Sequence, residues 1–199
     1  MKAIASADDA AVLGLLMDSP ALARATLKEG ATRAAATDNF FAEINHSVYA
    51  GDTALHVAAA AHRPEIARKL ISLGADVTAI NRRDATPLHY AADGIPGSPN
   101  WNPDAQSATV AFLLASGADP NAIDQNGVAP LHRAVRTRCA AAVSALLGGG
   151  ADALRKNGSG STPMMLSTRQ TGRGGSGSLE AKSQQKEIIQ LLQHFGASA

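Results

Sequence analysis

The sequence has few aromatic residues and only one cysteine. Of its 199 residues, 4% are aromatic, and Cys139 is the single cysteine. The chain therefore has no large aromatic core, and its 45% hydrophobic content is rich in alanine, which suits closely packed helices. One cysteine excludes an intramolecular disulfide framework and fits a reducing compartment. We expect Cys139 to be a buried or half-buried helix residue.

The sequence also lacks a strong net charge and a long apolar run. The formal net charge is +1, so electrostatics do not argue for binding to nucleic acid or to an anionic membrane. No run approaches the roughly 20 apolar residues of a membrane span. Asp8 and Asp9 interrupt the apolar stretch near the N-terminus, which argues against a signal peptide. We expect a cytoplasmic monomer, although a signal already removed would leave a secreted or periplasmic location open.

Two short motifs recur in phase along most of the chain. The hexapeptide TALHVA begins at Thr53 and returns as TPLHYA from Thr86, as APLHRA from Ala129 and, in a worn form, as TPMMLS from Thr162. Gly-Ala-Asp follows it at residues 74–76, 117–119 and 150–152, with Gly-Ala at 196–197. Thr53 and Thr86 are 33 positions apart, as are Ala129 and Thr162. This pattern resembles the ankyrin repeat.

The resemblance implies an all-α solenoid of about five helix-turn-helix repeats with short β-hairpin-like loops. We expect one domain over residues 1–199, with a divergent terminal repeat at 5–31 and further repeats at 47–79, 80–122, 123–155 and 156–197. The spacing predicts loop inserts at 93–107 and 170–187. The first repeat is expected to hold helices at 7–17 and from Pro20 to about Gly30. Phe40 and Phe41 are expected to tuck under the first repeats.

The resemblance also assigns structural roles to the repeated residues. Thr53, Thr86 and Thr162 are expected to cap the first helix of each unit, and the leucines of the motif enter the core. His56, His89 and His132 are expected to bridge backbone groups of neighbouring units. A shared metal ion is the alternative, but histidines one layer apart are too distant for nitrogen ligands at about 2.1 Å. Asp76, Asp119 and Asp152 are expected to form turns.

Ankyrin proteins typically bind other proteins through hairpin tips and inner helices, so the resemblance implies a protein partner. Basic residues outnumber acidic ones at the matching positions, and this favours an acidic partner. No nucleophile, base and orienting group can be assembled, so we expect neither catalysis nor a cofactor or metal. The positions that match the variable surface of the family are Ile80, Arg82, Arg83, Ala85, Tyr90, Asp93, Ile123, Gln125, Asn126, Val128, Arg133, Arg136, Thr137, Lys156, Ser159 and Ser161.

The two inserts support an alternative function, a small anionic ligand-binding or enzyme-associated module. Residues 172–177 match G-x-G-x-x-G, but a predicted helix precedes them instead of the strand that a dinucleotide site requires. They form either a flexible tether or, with Arg173, a grip for an anionic group. Trp101 is either a binding anchor or a side chain folded back on its neighbouring repeat. A structural module without a soluble partner is a third reading.

Overall fold

The computed structural model describes residues 1–32, 37–169 and 178–197 of the chain, and these parts are mainly helical. The α-helices are α1 (Lys2–Ala5), α2 (Asp9–Asp18), α3 (Ala54–Ala60), α4 (Pro64–Ser72), α5 (Pro87–Ala91), α6 (Pro103–Ala115), α7 (Pro130–Arg136), α8 (Ala140–Gly148), α9 (Pro163–Thr168) and α10 (Leu179–His194). Short 3₁₀ helices lie at Pro20–Ala23 and Ala42–Ile44, and strands β1 (Phe40–Phe41) and β2 (His46–Ser47) form an antiparallel pair.

The helices from α3 onward form two layers. The inner helices α3, α5, α7 and α9 each contact the next one along the stack, and so do the outer helices α4, α6, α8 and α10. Each inner helix also packs against the outer helix that follows it. The predicted all-α stack of helix pairs is thus confirmed.

The start of each inner helix follows from the repeated hexapeptide. The hydroxyl oxygens of Thr53 and Thr162 accept backbone N–H groups in the first turns of α3 and α9, at 3.4 and 3.2 Å. The motif leucines Leu55, Leu88 and Leu131 are at most 1% exposed. Together with the wholly buried alanines of the same motif, they fill the space between the layers, so the core lies within the stack.

The motif histidines join each unit to the next. In His56, Nδ1 accepts the N–H of Thr53 at 3.1 Å, so Nε2 carries the ring proton and donates to the carbonyl of Ala85 at 3.1 Å. His89 and His132 repeat this arrangement, with Nε2 bonds to the next unit's carbonyls at Val128 (2.9 Å) and Arg155 (3.0 Å). The bridging role predicted for these histidines is confirmed.

In the last unit Met165 replaces the motif histidine, and a buried arginine of the preceding unit bonds to the backbone of this unit. Arg138, 2% exposed, lies at the turn between α7 and α8. Its guanidinium donates to the carbonyls of Ser167 at 2.6 Å and Arg169 at 2.7 Å, at the end of α9. The last inner helix is therefore fixed at its C-terminal end.

The N-terminal unit departs from the predicted helix pair. The helix predicted at 7–17 is present as α2, and Asp8 caps it by accepting the N–H of Ala11 at 2.9 Å. The prediction of a second helix from Pro20 to Gly30 is wrong, because only a 3₁₀ helix forms, it ends at Ala23, and Thr26 then makes an antiparallel bridge with Thr53. Leu27 exchanges backbone hydrogen bonds with Gly51 and Asp52, both at 2.8 Å. This pairing with a distant segment replaces the helix.

Other boundaries also differ from the expected ones. Helix α6 begins at Pro103 with Asn102 as its cap, and α10 begins at Leu179 with Ser178 as its cap. Both helices thus start inside the residue ranges predicted as inserts, 93–107 and 170–187. Phe41 packs against the core as expected, whereas Phe40 is 42% exposed.

Candidate partner-binding face

Three hairpin tips share one turn that is built on an Asn or Asp side chain. We define the first tip as residues 81–84, the second as 124–127 and the third as 157–160. Oδ1 of Asn81 accepts the N–H groups of Arg83 (2.8 Å) and Ala85 (3.2 Å). Asp124 and Asn157 each accept the equivalent pair of N–H groups at 2.8–3.1 Å. The last residue of each tip has a positive φ: Asp84 (56°), Gly127 (64°) and Gly160 (76°).

Backbone hydrogen bonds join successive tips into a row. The N–H of Gln125 donates to the carbonyl of Arg83 at 3.0 Å, and the N–H of Gly158 donates to that of Asn126 at 2.9 Å. The side-chain amide of Gln125 adds a bond to the carbonyl of Arg82 at 2.6 Å. A Cβ at position 158 would overlap the carbonyl oxygen of Asn126, so this position requires glycine. The tips are therefore held in fixed register.

Most of the tip residues predicted to contact a partner present their side chains outward. Ile80 and Ile123, at equivalent positions of two tips, are 57% and 49% exposed. The other exposed members of the predicted set are Arg82, Arg83, Gln125, Asn126, Lys156 and Ser159. The predictions for Ala85 and Ser161 are wrong, because both residues are buried at the base of a tip, where each takes part in the turn.

The prediction that Tyr90 contacts a partner from the inner helices is also wrong, because this residue is only 1% exposed. Its hydroxyl donates to Asp52 Oδ2 at 2.7 Å and accepts the side-chain N–H of Asn81 at 2.9 Å. Asn81 donates in addition to Asp52 Oδ1 at 2.8 Å. Burial, together with the neighbouring carboxylate, raises the pKa of Tyr90. This network is structural, and it ties α5 to the preceding unit.

Arg133 does not supply a free positive charge. Its two Nη atoms donate to Asp93 Oδ2 at 3.1 Å and to Asp124 Oδ2 at 3.0 Å. Burial alone would raise the pKa of Asp124, but hydrogen bonds from Arg133 and from backbone N–H groups lower it overall. The arginine and its two carboxylates thus form a charged cluster on the inner face. Sequence reasoning missed it because Asp93 comes from the preceding unit and Asp124 lies nine positions before Arg133, at the base of the second tip.

Of the remaining inner positions, Val128, Arg136 and Thr137 are half-buried. The hydroxyl of Thr137 donates to the carbonyl of Arg133 at 3.0 Å, so it is turned toward its own helix. The carbonyl of Val128 is taken by His89. Arg136 lines a cavity of the inner face together with Arg83 and Asn126.

Residues 37–50, which we call the covering hairpin, lie over the inner face. The ring of His46 lies 4.2 Å from that of Tyr90, and the hydroxyl of Tyr49 accepts from Arg83 at 2.9 Å. The guanidinium carbons of Arg82 and Arg83 lie 5.3 and 5.0 Å from the centre of the Tyr49 ring. Arg82 and Arg83 are therefore exposed, but they rest on this hairpin.

Of the two residues predicted for the alternative loop site, Trp101 is among the described residues and Arg173 is not. Trp101 folds back, and its Nε1 donates to Oε1 of Gln106 at 2.9 Å. Gln106, wholly buried, donates to the carbonyls of Ala91 and Asp93 at 3.1 and 3.2 Å. Trp101 also lines a cavity of about 290 Å³ beside the covering hairpin. Arg173 and the glycine-rich residues 172–177 lie outside the described residues.

Histidine, aspartate and cysteine side chains take structural positions in the described parts of the chain. Asp76, Asp119 and Asp152 each accept the N–H two residues on, at 2.8 Å, so the prediction that they form turns is confirmed. Within residues 1–32, 37–169 and 178–197, no three His, Cys, Asp or Glu side chains are placed to hold a metal ion. Cys139 is buried, as expected, and burial raises the pKa of its thiol to about 12.

No helix in the described ranges is both long enough and apolar enough to cross a membrane. A family model described as ankyrin repeats (3 copies) matches residues 3–99 and again residues 103–198 of the chain. No curated protein matches the chain significantly. The two family matches together cover most of the sequence and include all three hairpin tips.

Proposed function

We propose a protein-binding function for this chain, which belongs to the ankyrin repeat family. Ankyrin repeats are generally protein–protein interaction modules, and the family is typically non-catalytic. The partner binds to the row of hairpin tips and to the open part of the inner face. The observation that carries this proposal is the fixed row of exposed side chains at equivalent positions on successive tips, with Ile80 and Ile123 as its apolar members.

The charge of this row favours an acidic partner. Arg82 and Arg83 on the first tip and Lys156 beside the third are exposed cations. Arg133 is excluded from the set because Asp93 and Asp124 neutralise it. Positive charge on an exposed rim accelerates association with a negatively charged partner and weakens with salt. The chain acts as a monomer in the cytoplasm and uses neither nucleic acid nor a cofactor in this function.

The first experiment measures partner capture with charge-reversed tips. The immobilised chain captures proteins from a lysate of its native host, and mass spectrometry quantifies them. The double variant Arg82→Glu/Arg83→Glu should reduce capture of the specific partner by about ten-fold or more. Its matched control is Lys69→Glu/Lys182→Glu, which changes the net charge equally at exposed positions of the outer helices α4 and α10 and should leave capture unchanged.

Because Arg82 and Arg83 also rest on Tyr49, a second variant separates direct contact from displacement of the covering hairpin. Lys156→Glu changes an exposed residue beside the third tip, away from Tyr49, and should also reduce capture. If only the Lys69→Glu/Lys182→Glu variant loses capture, the partner binds to the outer helices and not to the tips. Unchanged capture by all three variants would refute an acidic partner on the tips.

A further inference from the structure

The sequence contains two Asn-Gly pairs, and both lie in hairpin tips. Asn126-Gly127 belongs to the second tip and Asn157-Gly158 to the third. Such a pair is chemically labile, because the backbone nitrogen of a glycine, which has no Cβ to obstruct it, can attack the side-chain amide carbon of the preceding asparagine. Since both pairs share this local chemistry, a difference between their rates in the folded chain must come from the surrounding structure.

The side chain of Asn157 is held in place by the third tip. Its Oδ1 accepts the N–H groups of Ser159 and Ser161, both at 3.0 Å. The nitrogen that would attack it, that of Gly158, donates to the carbonyl of Asn126 at 2.9 Å. Attack by Gly158 would therefore break three hydrogen bonds, one of which joins the second tip to the third.

The side chain of Asn126 is not held in this way. In the second tip Asp124 accepts the two N–H groups that stabilise the turn, and Asn126 is exposed. Among the residues that the structure describes, its side-chain amide has no hydrogen-bond partner. It lines a cavity of about 380 Å³, so the amide has room to rotate. Attack by the nitrogen of Gly127 would break one hydrogen bond, the one to the carbonyl of Asp124 at 2.8 Å.

We propose that Asn126 is a site of deamidation in the folded chain, and that the third tip protects Asn157 from the same reaction. The nitrogen of Gly127 bonds to Cγ of Asn126, and the Cγ–Nδ2 bond breaks. The proton of the attacking nitrogen passes through solvent to the leaving group, which departs as ammonia. Water then opens the cyclic imide and gives aspartate or isoaspartate. The second tip thereby gains one negative charge, at a cavity that Arg83 also lines.

Mass spectrometry of the wild-type chain tests the proposal without a partner. The folded chain is incubated at about pH 8 in water labelled with oxygen-18, digested, and analysed by fragmentation for aspartate and isoaspartate at both positions. A hydrogen bond is worth roughly five-fold in an equilibrium, and Asn157 must break two more of them, so Asn126 should react at least about ten-fold faster. Equal rates, a faster reaction at Asn157, or no reaction at Asn126 would overturn the proposal.

The matched control is the same chain unfolded in urea, in which neither tip exists. Both pairs should then react at similar rates, because only their shared local chemistry remains. A preference for Asn126 that persists after unfolding would show that the neighbouring sequence causes it. That result would also overturn the proposal, since the folded tip would play no part.

The effect of the new charge on binding rests on the proposed protein-binding function. Asn126→Asp reproduces the charge and should reduce capture of an acidic partner several-fold. Its control is Gln193→Glu, which adds the same charge at an exposed position of the outer helix α10 and should not change capture. Loss of capture with Arg82→Glu/Arg83→Glu but not with Asn126→Asp would refute the effect on binding and leave the deamidation site. Unchanged capture by both would remove the proposed function, and the mass-spectrometric result would still decide the site.

Discussion

Acid should begin to destabilise this chain above the pH at which carboxylates are protonated, because its bridging histidines are buried in the neutral form. Burial lowers the pKa of His89 from 6.5 to about 4, although the hydrogen bond to the carbonyl of Val128 opposes that shift. The pKa values of His46, His56, His62 and His132 are also lowered, in each case mainly by burial. The unfolded chain therefore binds more protons than the folded chain below pH 6.5.

The sign and size of the effect follow from proton linkage. Stability rises with pH wherever the unfolded state binds more protons, so it is complete above pH 6.5 and falls as the pH decreases toward the folded pKa. For His89 the difference of 2.5 units corresponds to about 3 kcal/mol, since one unit is worth about 1.4 kcal/mol. The other four histidines change the stability in the same direction. For a domain with a total stability of about 5–15 kcal/mol, the loss at His89 alone is a substantial fraction, so the chain should be measurably less stable at pH 5 than at pH 7.5.

Urea unfolding followed by circular dichroism, repeated from pH 7.5 to 4.5, measures the slope directly. His89→Ala should lose about 1–3 kcal/mol at pH 7.5, because it leaves the N–H of Thr86 and the carbonyl of Val128 without their partner. It should also reduce the number of protons taken up on unfolding by about one, which lowers the slope of stability against pH. A wild-type stability that stays constant between pH 7.5 and 5 would refute the account of the buried histidines, and so would a variant with the same slope as the wild type.

Two further substitutions test the packing. Leu88→Ala should cost about 2–5 kcal/mol in urea unfolding because Leu88 is wholly buried between the layers, and a loss below about 0.5 kcal/mol would contradict its place in the core. Gly158→Ala should cost about 1–3 kcal/mol, because the new Cβ would overlap the carbonyl oxygen of Asn126. The matched control is Gly148→Ala in α8, where a Cβ meets open space. This substitution should leave the stability unchanged or raise it by up to about 1 kcal/mol. Equal effects of the two alanines would refute the close contact between tips.

The features that sequence reasoning predicted correctly are those fixed by local chemistry. The hexapeptide specifies a helix start, a core leucine and a bridging histidine within six residues, and its first three copies do so independently. Asp76 and its equivalents form turns through a bond to the second following N–H. The partners of these groups lie within the same repeat or in the next one, so the recurring motif indicates where they are found.

Three of the wrong predictions concern residues that have partners in other parts of the chain, whereas Ala85 and Ser161 are buried by their own local turns. Tyr90 and Arg133 occupy positions that are variable surface in the family, but here Tyr90 is buried and bonds to Asp52 of the preceding unit, and Arg133 is neutralised by Asp93 of the preceding unit and Asp124 of its own unit. The predicted helix from Pro20 to Gly30 gives way to pairing with Gly51 and Asp52. Nothing in the local sequence around these residues indicates the partner.

The covering hairpin shows why the length of a connection is itself informative. Loops longer than about 12–15 residues are uncommon in compact domains and are usually functional or disordered, and this chain places one between its first two repeats. Its ends meet, since the N–H of Ala31 donates to the carbonyl of Val48 at 2.7 Å, so the connection can leave and rejoin the stack without disturbing the helices. His46 and Tyr49 then give it contacts on the inner face and the first tip. The inner face is consequently built partly from the hairpin, and the motif-bearing helices alone do not define that surface.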